Sequence, residues 1–204
     1  MTTTRISALP NAANIAATDV APWNVAGVTS RVAWSVLAAK TGRTVAVGDP
    51  TYGAAGDGVT NDTTAFVSAL AVLTSASRGT LELDGTKIYL LDGGVTGADG
   101  YKNGLLVPFL QVNQDETKTI IIDGHGAVLK CGSDNMILVR ISRNNVILRN
   151  VTLDYNSKST VILCGIVPED MTQIVTVVSQ SNVTLENVSR TGGAGVDGIV
   201  IQPG

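Results

Sequence analysis

The chain has 204 residues, of which 44% are hydrophobic, 15% charged and 4% aromatic, with 22 glycines and a net charge of −3. This length suits one or two domains, and the low charge and high glycine content favour a mainly β protein over a helical bundle. The acidic balance argues against nucleic-acid binding through a basic surface, and no apolar stretch is long enough for a membrane span. The N-terminus lacks a signal-peptide core, so no secretion signal is expected.

Residues 1–48 form a first segment, rich in Ala, Thr and Val. Two short strands are predicted at Asp19–Trp23 and Val28–Val32, because Asn24–Gly27 between them has the composition of a hairpin loop. An extended piece and one or two helical turns are predicted on either side, at Ile6–Pro10 and Trp34–Ala39. This is too little material for a good independent core. The segment is therefore either a mobile extension or a module that orders against partner subunits.

A glycine- and aspartate-rich run, Gly48–Asp62, predicts turns and precedes a helix at about residues 63–75. Asn61 or Asp62 can accept hydrogen bonds from the free amides at the start of that helix. Phe66, Leu70 and Leu73 follow helical spacing and should be buried on one face. The glycines of the run lack the Lys-Ser/Thr ending of a phosphate loop, so nucleotide binding is rejected.

The residues after the helix, Gly79–Leu91, alternate apolar and polar positions on both sides of Asp84-Gly85. Asp-Gly is a favoured two-residue hairpin turn. The pattern therefore predicts two short strands joined as a hairpin, with Asp84 as a turn residue and not as part of an active site.

From about residue 117 onward the sequence repeats. Asn145–Val151 and Asn182–Val188 share the pattern Asn-Val-x-Leu-x-Asn-Val at an offset of 182 − 145 = 37 residues, within the range of repeat architectures. Short strands rich in Val, Ile and Thr recur between Asn, Asp, Gly and Ser corners, with no long helix between them. Parallel strands usually need helical crossovers, so short loops predict the winding of a β-helix. A β-sandwich would not explain the repeated asparagines, which tolerate left-handed backbone and can bond along a stack.

Few side chains suggest special chemistry. Cys131 and Cys164 lie in apolar surroundings and are expected to be buried free thiols. His125 is the only histidine, so it is interpreted as a turn residue and not as a metal ligand or base. The glycosylation sequons at Asn61, Asn150 and Asn182 are read as structural coincidences. No cofactor or metal is expected.

The run Tyr52–Phe66 resembles the entry motif of the pectate-lyase-like β-helix superfamily, which includes tailspikes, exopolysaccharide depolymerases and polygalacturonase-like enzymes. Gly79–Tyr89 is similar to the strand that follows the capping helix in that family, with Asp84 where proline is common. The resemblance covers residues 49–204 and implies a capping helix followed by the first rungs of a right-handed parallel β-helix. Because the entry motif is structural, it implies little about activity.

Residues 5–39 resemble the N-terminal module of many phage tail fibres and tailspikes, through Ile6–Pro10, Thr18–Pro22 and Gly27–Thr29. The two resemblances together imply a small virion-anchor module at residues 1–48. They also imply a homotrimer on the phage tail or baseplate, with host surface polysaccharide bound mostly downstream of residue 204.

Enzymes of this superfamily act on polysaccharides by hydrolysis with two carboxylates or by lyase chemistry with a cation and a base. A hydrolase needs two carboxyls about 5 to 9.5 Å apart, and adjacent rungs about 4.8 Å apart could supply them. The candidates are Asp123, Asp154, Glu186 and Asp197. Nothing in the sequence selects one pair, so the catalytic residues are unknown.

Solenoids need a cap at each end, and Gly198–Gly204 is strand-like. The coil is therefore expected to continue past residue 204, and the 204 residues alone are expected to be inactive. A virion tailspike or tail fibre is the leading hypothesis. The alternatives are a free polysaccharide lyase or glycoside hydrolase and a short phage structural subunit.

Overall fold

The computed structural model describes residues 20–25, 28–33, 43–93, 96, 100–107, 118–166, 182–193 and 197–201, with the backbone alone for residues 20–25, 28–33, 166, 197 and 201. The chain forms two compact units, Met1–Gly42 and Arg43–Gly204. Within the described residues no helix is long and apolar enough to cross a bilayer.

The first unit contains an antiparallel pair of strands, β1 (Val20–Val25) and β2 (Val28–Ala33). This pair confirms the two short strands predicted there. The pieces predicted at Ile6–Pro10 and Trp34–Ala39 lie outside the described residues. The sequence placed the end of the first module at residue 48, whereas the second unit already begins at Arg43. The attachment role of the first unit stays a prediction.

In the second unit the chain winds through three stacks of parallel strands, here called sides one, two and three. Side one holds β3 (Arg43–Ala46), β5 (Gly79–Glu82), β8 (Ile120–Asp123) and the first halves of β11 (Val146–Asp154) and β13 (Val183–Thr191). Side two holds β4 (Asp57–Asn61), β6 (Ile88–Leu91), β9 (Val128–Cys131) and the second halves of β11 and β13. Side three holds β7 (Lys102–Val107), β10 (Met136–Ile141), β12 (Val161–Ile166) and β14 (Asp197–Ile201).

Successive strands visit the three sides in turn, and each pairs in parallel with the strand one coil away. The apolar residues that point inward form one continuous core. The mainly β fold and the parallel β-helix are therefore confirmed, while the right hand of the coil stays a prediction.

The 37-residue repeat is the spacing of two adjacent coils, since Val146 pairs with Val183 and Asp154 with Thr191. The interval is shorter one coil earlier, where Ile120 pairs with Val146, 26 residues away. At 20–25 residues a rung, the 86 residues from 119 to 204 would make about four rungs. The described residues form three coils there, because both intervals exceed the assumed length.

Helix α1 (Thr63–Ser75) confirms the predicted capping helix. It follows β4 in the chain, where later coils have a side-three strand, and it packs against β3, β5 and β7. Phe66, Leu70 and Leu73 are buried as expected. The rings of Phe66 and Tyr89 pack edge-to-face with 5.3 Å between their centroids. The helix thus covers the interior of the first coils.

The residues before α1 explain the entry motif. Asn61 Oδ1 accepts a hydrogen bond from the Thr63 amide at 3.0 Å, as predicted for the helix start. The buried Asp62 carboxylate turns the other way and accepts from the amides of Ala55 and Gly56, at 2.7 and 3.1 Å. Gly56 has a φ of +59°, and a Cβ there would lie 2.9 Å from atoms of Lys87 and Tyr89. The motif therefore closes a tight loop against the next coil.

The hairpin predicted at Asp84-Gly85 is wrong. β5 and β6 do not pair with each other: β5 pairs with β3 and β8 on side one, and β6 pairs with β4 and β9 on side two. Asp84 does occupy a turn, where its Oδ1 accepts from the Thr86 amide and hydroxyl. The same Asp-Gly chemistry makes a corner of the coil, because each strand finds its partner one coil away.

The corner asparagines adopt the left-handed backbone that the sequence predicted. Six of them have φ between +50° and +63° in the described residues: Asn135, Asn145, Asn150, Asn156, Asn182 and Asn187. Both cysteines are buried free thiols as expected, and burial raises the pKa of Cys131 and of Cys164 to about 12.

Candidate functional site

The outer surface of side one carries alternating residues that do not join the core. Ile120 and Ile122 point inward and are fully buried, whereas Ile121 between them is half-buried. The same alternation leaves Ile147 and Arg149 on the outside of β11. Side one therefore presents two outward columns of side chains to solvent.

Strand register decides which residues meet in these columns. Glu82 pairs with Asp123, Asp123 with Arg149, and Arg149 with Glu186, so four charged residues from four coils form one column. Neighbouring members are about 4.8 Å apart at the backbone. The column beside it is less polar. We call the two columns together the outer strip, which consists of Thr80, Glu82, Ile121, Asp123, Ile147, Arg149, Thr184 and Glu186.

Asp123 is the most enclosed member of the outer strip, with 4% of its surface exposed. Its Oδ2 accepts from Arg149 Nε at 2.7 Å, and its Oδ1 accepts from Asn150 Nδ2 at 3.0 Å and from the His125 amide at 3.2 Å. Burial alone would raise the pKa of Asp123, but the bonds from Asn150, the His125 amide and Arg149 together hold that pKa below its usual range. Asp123 therefore stays ionised and ties two coils together.

An amide ladder continues from Asp123 along the edge of the outer strip. Asn187 Nδ2 donates to Asn150 Oδ1 at 3.1 Å, and Asn150 in turn donates to Asp123. The ladder thus joins three coils and fixes the register that aligns the charged column. The ladder also explains why the second asparagine recurs in the repeat, as Asn150 and Asn187. The side chain of Asn150, which belongs to one of the sequons, is engaged in these hydrogen bonds.

His125 lies in the turn between β8 and β9 with a φ of +51°, as expected for a turn residue. Its side chain is half exposed, and Nδ1 lies 3.8 Å from Asp123 Oδ1, which is longer than a hydrogen bond. β11 and β13 pass the same corner without such a turn. His125 therefore stands beside the outer strip at its border with side two.

Several polar groups of the outer strip are available to a ligand. Arg149 uses Nε for Asp123, and its side chain remains 38% exposed. Within the described part of the chain, the terminal nitrogens of Arg149 and the carboxylates of Glu82 and Glu186 make no hydrogen bond or ion pair. The strip thus offers donors and acceptors on a flat sheet surface.

The four candidate carboxylates do not come together. Asp123 and Glu186 share the outer strip but lie two coils apart, with Arg149 between them. Asp154 lies on side two, where Oδ1 accepts from the Asn156 amide at 2.8 Å. Asp197 begins β14 on side three, and its side chain is not described. The catalytic residues therefore stay unassigned. Across the described ranges, no three His, Cys, Asp or Glu side chains are grouped to hold a metal ion.

Two members of the charged column, Glu82 and Arg149, were missed in the sequence. Arg149 and Glu186 occupy the same position of the 37-residue repeat, directly before the second asparagine. That shared position was a usable signal. Glu82 lies outside the repeated pattern and becomes a neighbour of Asp123 only through the register of β5 and β8.

Acid is expected to destabilise the second unit. Hydrogen bonds from the backbone amides of Thr60 and Val59 lower the pKa of Asp57 to about 2, and the pKa of Asp123 is also lowered. Carboxyls with a folded-state pKa below the unfolded value of about 3.9 stabilise the fold when ionised. Their contribution is complete above about pH 5 and is lost as the pH falls from about 4 towards 2.

Urea unfolding measured at several pH values checks this expectation. The urea concentration at the midpoint of unfolding should be constant between pH 7 and 5 and should decrease as the pH is lowered below 4. The decrease should be less steep for Asp123→Asn than for the wild type. An equal pH dependence of the two proteins would contradict the role given to Asp123.

Comparison with known proteins supports the fold. The A-module of the mannuronan C-5 epimerase AlgE6 of Azotobacter vinelandii is similar with a TM-score of 0.55 and 23% sequence identity. The match covers 78% of this chain and 40% of that module, so the chain spans less than half the length of its structural neighbour. No protein-family model matches the chain, and no curated protein matches it significantly.

Proposed function

We propose that the chain is the front part of a bacteriophage tailspike or tail fibre. Residues 1–48 attach a homotrimer to tail or baseplate proteins, and the β-helix forms a shaft for recognition of host surface glycans. Most of the surface that recognises or depolymerises the glycan lies downstream. The outer strip contributes a glycan contact within the coils described above.

The outer strip is the observation that carries this proposal. Sugars bind through arrays of hydroxyl groups, which donate and accept hydrogen bonds. The free terminal nitrogens of Arg149 and the unbonded carboxylate of Glu186 offer both partners on adjacent coils, and the carboxylate of Glu82 lies two coils from Arg149 in the same column. Together with the entry motif and the separate N-terminal unit, this favours a glycan-facing shaft.

A free polysaccharide-modifying enzyme is the second candidate. The structural neighbour is named as an epimerase of mannuronan, and its A-module shares the fold. This candidate predicts turnover of a polysaccharide by the chain alone, which chain-length analysis and proton NMR of the polymer would detect. The tailspike proposal predicts binding without turnover.

An array of bacterial capsular and O-antigen polysaccharides tests the glycan-binding proposal. Wild-type chain is expected to bind at least one polysaccharide, and Arg149→Gln should weaken that binding about 10-fold or more, because a charged donor is lost. Lys158→Gln is the control, since Lys158 lies in the turn between β11 and β12 and outside the outer strip. Circular dichroism of each variant verifies folding.

Binding to no polysaccharide, or equal binding by wild type and Arg149→Gln, would contradict the proposal. Sedimentation of the same sample tests the assembly. A homotrimer of the 21.0 kDa chain has three times that mass, and a stable monomer would contradict it.

A further inference from the structure

We infer that the outer strip is a subsite for neutral, hydroxyl-rich sugar residues and that it discriminates against uronates. This inference rests on the proposed glycan-binding function and adds the chemical class of the ligand. It follows from the charges, the unbonded groups and the apolar residues of the strip.

The charge of the outer strip is unfavourable for anions. Three carboxylates and one guanidinium give a net charge of 1 − 3 = −2, from Arg149 against Glu82, Asp123 and Glu186. Asp84 and Lys87, in the turn beside Glu82, cancel each other. Because Asp123 and Arg149 form an ion pair, the net charge lies on Glu82 and Glu186 at the two ends of the column, and a sugar carboxylate would meet negative charge at either end.

Hydrogen-bond chemistry points the same way. The carboxylates of Glu82 and Glu186 only accept hydrogen bonds. A sugar hydroxyl can donate to them and can also accept from the terminal nitrogens of Arg149. A uronate carboxylate has no proton to donate, and Arg149 already shares its charge with Asp123 at 2.7 Å. Hydroxyl groups are therefore the better match.

The second column of the outer strip supplies apolar contact. Ile121 and Ile147 are neighbours in adjacent coils, half-buried, and lie between Thr80 and Thr184. The C–H face of a pyranose ring can pack on these two isoleucines while its hydroxyls reach the charged column. This combination of an apolar platform and a polar column suits an uncharged sugar.

Matched polysaccharide pairs test the inference. The probes are mannan with polymannuronate, galactan with polygalacturonate, and glucan with polyglucuronate, at equal chain length and linkage, so each pair differs at C6. Affinity electrophoresis of the full chain at low salt is expected to give about 10-fold tighter binding of a neutral member than of its uronate. At 0.5 M salt the screening length is roughly 4 Å, so the difference in affinity between the neutral polymer and its uronate should become smaller.

Two variants that each remove one negative charge show whether the preference for neutral sugars depends on the charge of the outer strip or on the net charge of the whole chain. Glu186→Gln removes one negative charge from the outer strip and should reduce the preference to about 3-fold. Asp134→Asn removes one negative charge at the corner between β9 and β10, outside the strip, and should leave the preference unchanged.

A uronate bound as tightly as its neutral partner, or a preference that Glu186→Gln leaves unchanged, would overturn the inference and leave the proposed function standing. Binding of none of the six polymers or of the bacterial polysaccharide array would overturn the proposed function and the inference together.

Discussion

Replacing Gly85 with alanine is expected to lower the free energy of unfolding by about 3 kcal/mol. A Cβ at this position would lie 2.1 Å from the backbone oxygen of His125 and 2.8 Å from its carbonyl carbon. Both atoms belong to the turn of the next coil, which hydrogen bonds hold in place, so neither can swing aside like a flexible side chain. The two coils must therefore separate locally, with loss of the packing between them.

Gly48→Ala is the matched control, because a Cβ there meets nothing within 4 Å and the φ of Gly48 is not in the left-handed region. Its free energy of unfolding should change by about 0.5 kcal/mol or less. Urea unfolding followed by circular dichroism compares the two variants. Equal effects would show that the turns at Gly85 and His125 are not in contact.

Phe66→Ala is expected to cost about 3–5 kcal/mol of stability, the largest effect of a single side chain in α1. Phe66 is fully buried, and its ring packs edge-to-face on Tyr89 of β6. The substitution removes most of a large side chain from the contact between the helix and the coils. Because α1 covers the interior of the first coils, that cavity lies at the centre of the cap.

Val67→Ala provides the comparison within the same helix, since Val67 is 53% exposed. Its loss of stability should be about 1 kcal/mol or less. The same denaturation experiment measures both variants. If Val67→Ala were as damaging as Phe66→Ala, the helix would bury a different face and would not cap the coil as described.

The repeated parts of the fold could be predicted from the sequence because each repeat contains both the corner residues and the strand residues of its coil. The asparagines of the Asn-Val-x-Leu-x-Asn-Val pattern mark corners, and the residues between them have the composition of strands. The 37-residue offset of the pattern equals the observed register, in which Val146 pairs with Val183. Likewise, helical spacing identified the buried face of α1.

Prediction from local residue preferences was wrong where a strand pairs with a strand that is distant in the sequence. Asp84-Gly85 satisfies the preferences of a hairpin turn, but those preferences do not specify which strand pairs with which. β5 pairs with β8 and β6 pairs with β9, each one coil away. Gly85 is needed because a side chain there would collide with the backbone of the turn at His125. The corner is thus decided by tertiary packing.

The charged column of the outer strip was hidden for a related reason. Its members are separated by 41, 26 and 37 residues, since Glu82 pairs with Asp123, Asp123 with Arg149, and Arg149 with Glu186. Unequal connections leave no single period along the whole column, and the 37-residue repeat relates only Arg149 to Glu186. Only the register of the strands brings these residues into one line.

Amide chemical-shift mapping with a bound neutral oligosaccharide reports both the stacking of the coils and their ligand surface in one measurement. The oligosaccharide is taken from the polymer that binds in the array. We expect the perturbed amides to cluster at residues 80–82, 121–123, 147–149 and 184–186, four segments that are adjacent only in the stacked coil. Perturbations confined to side two or side three, or scattered without relation to the register, would contradict the account.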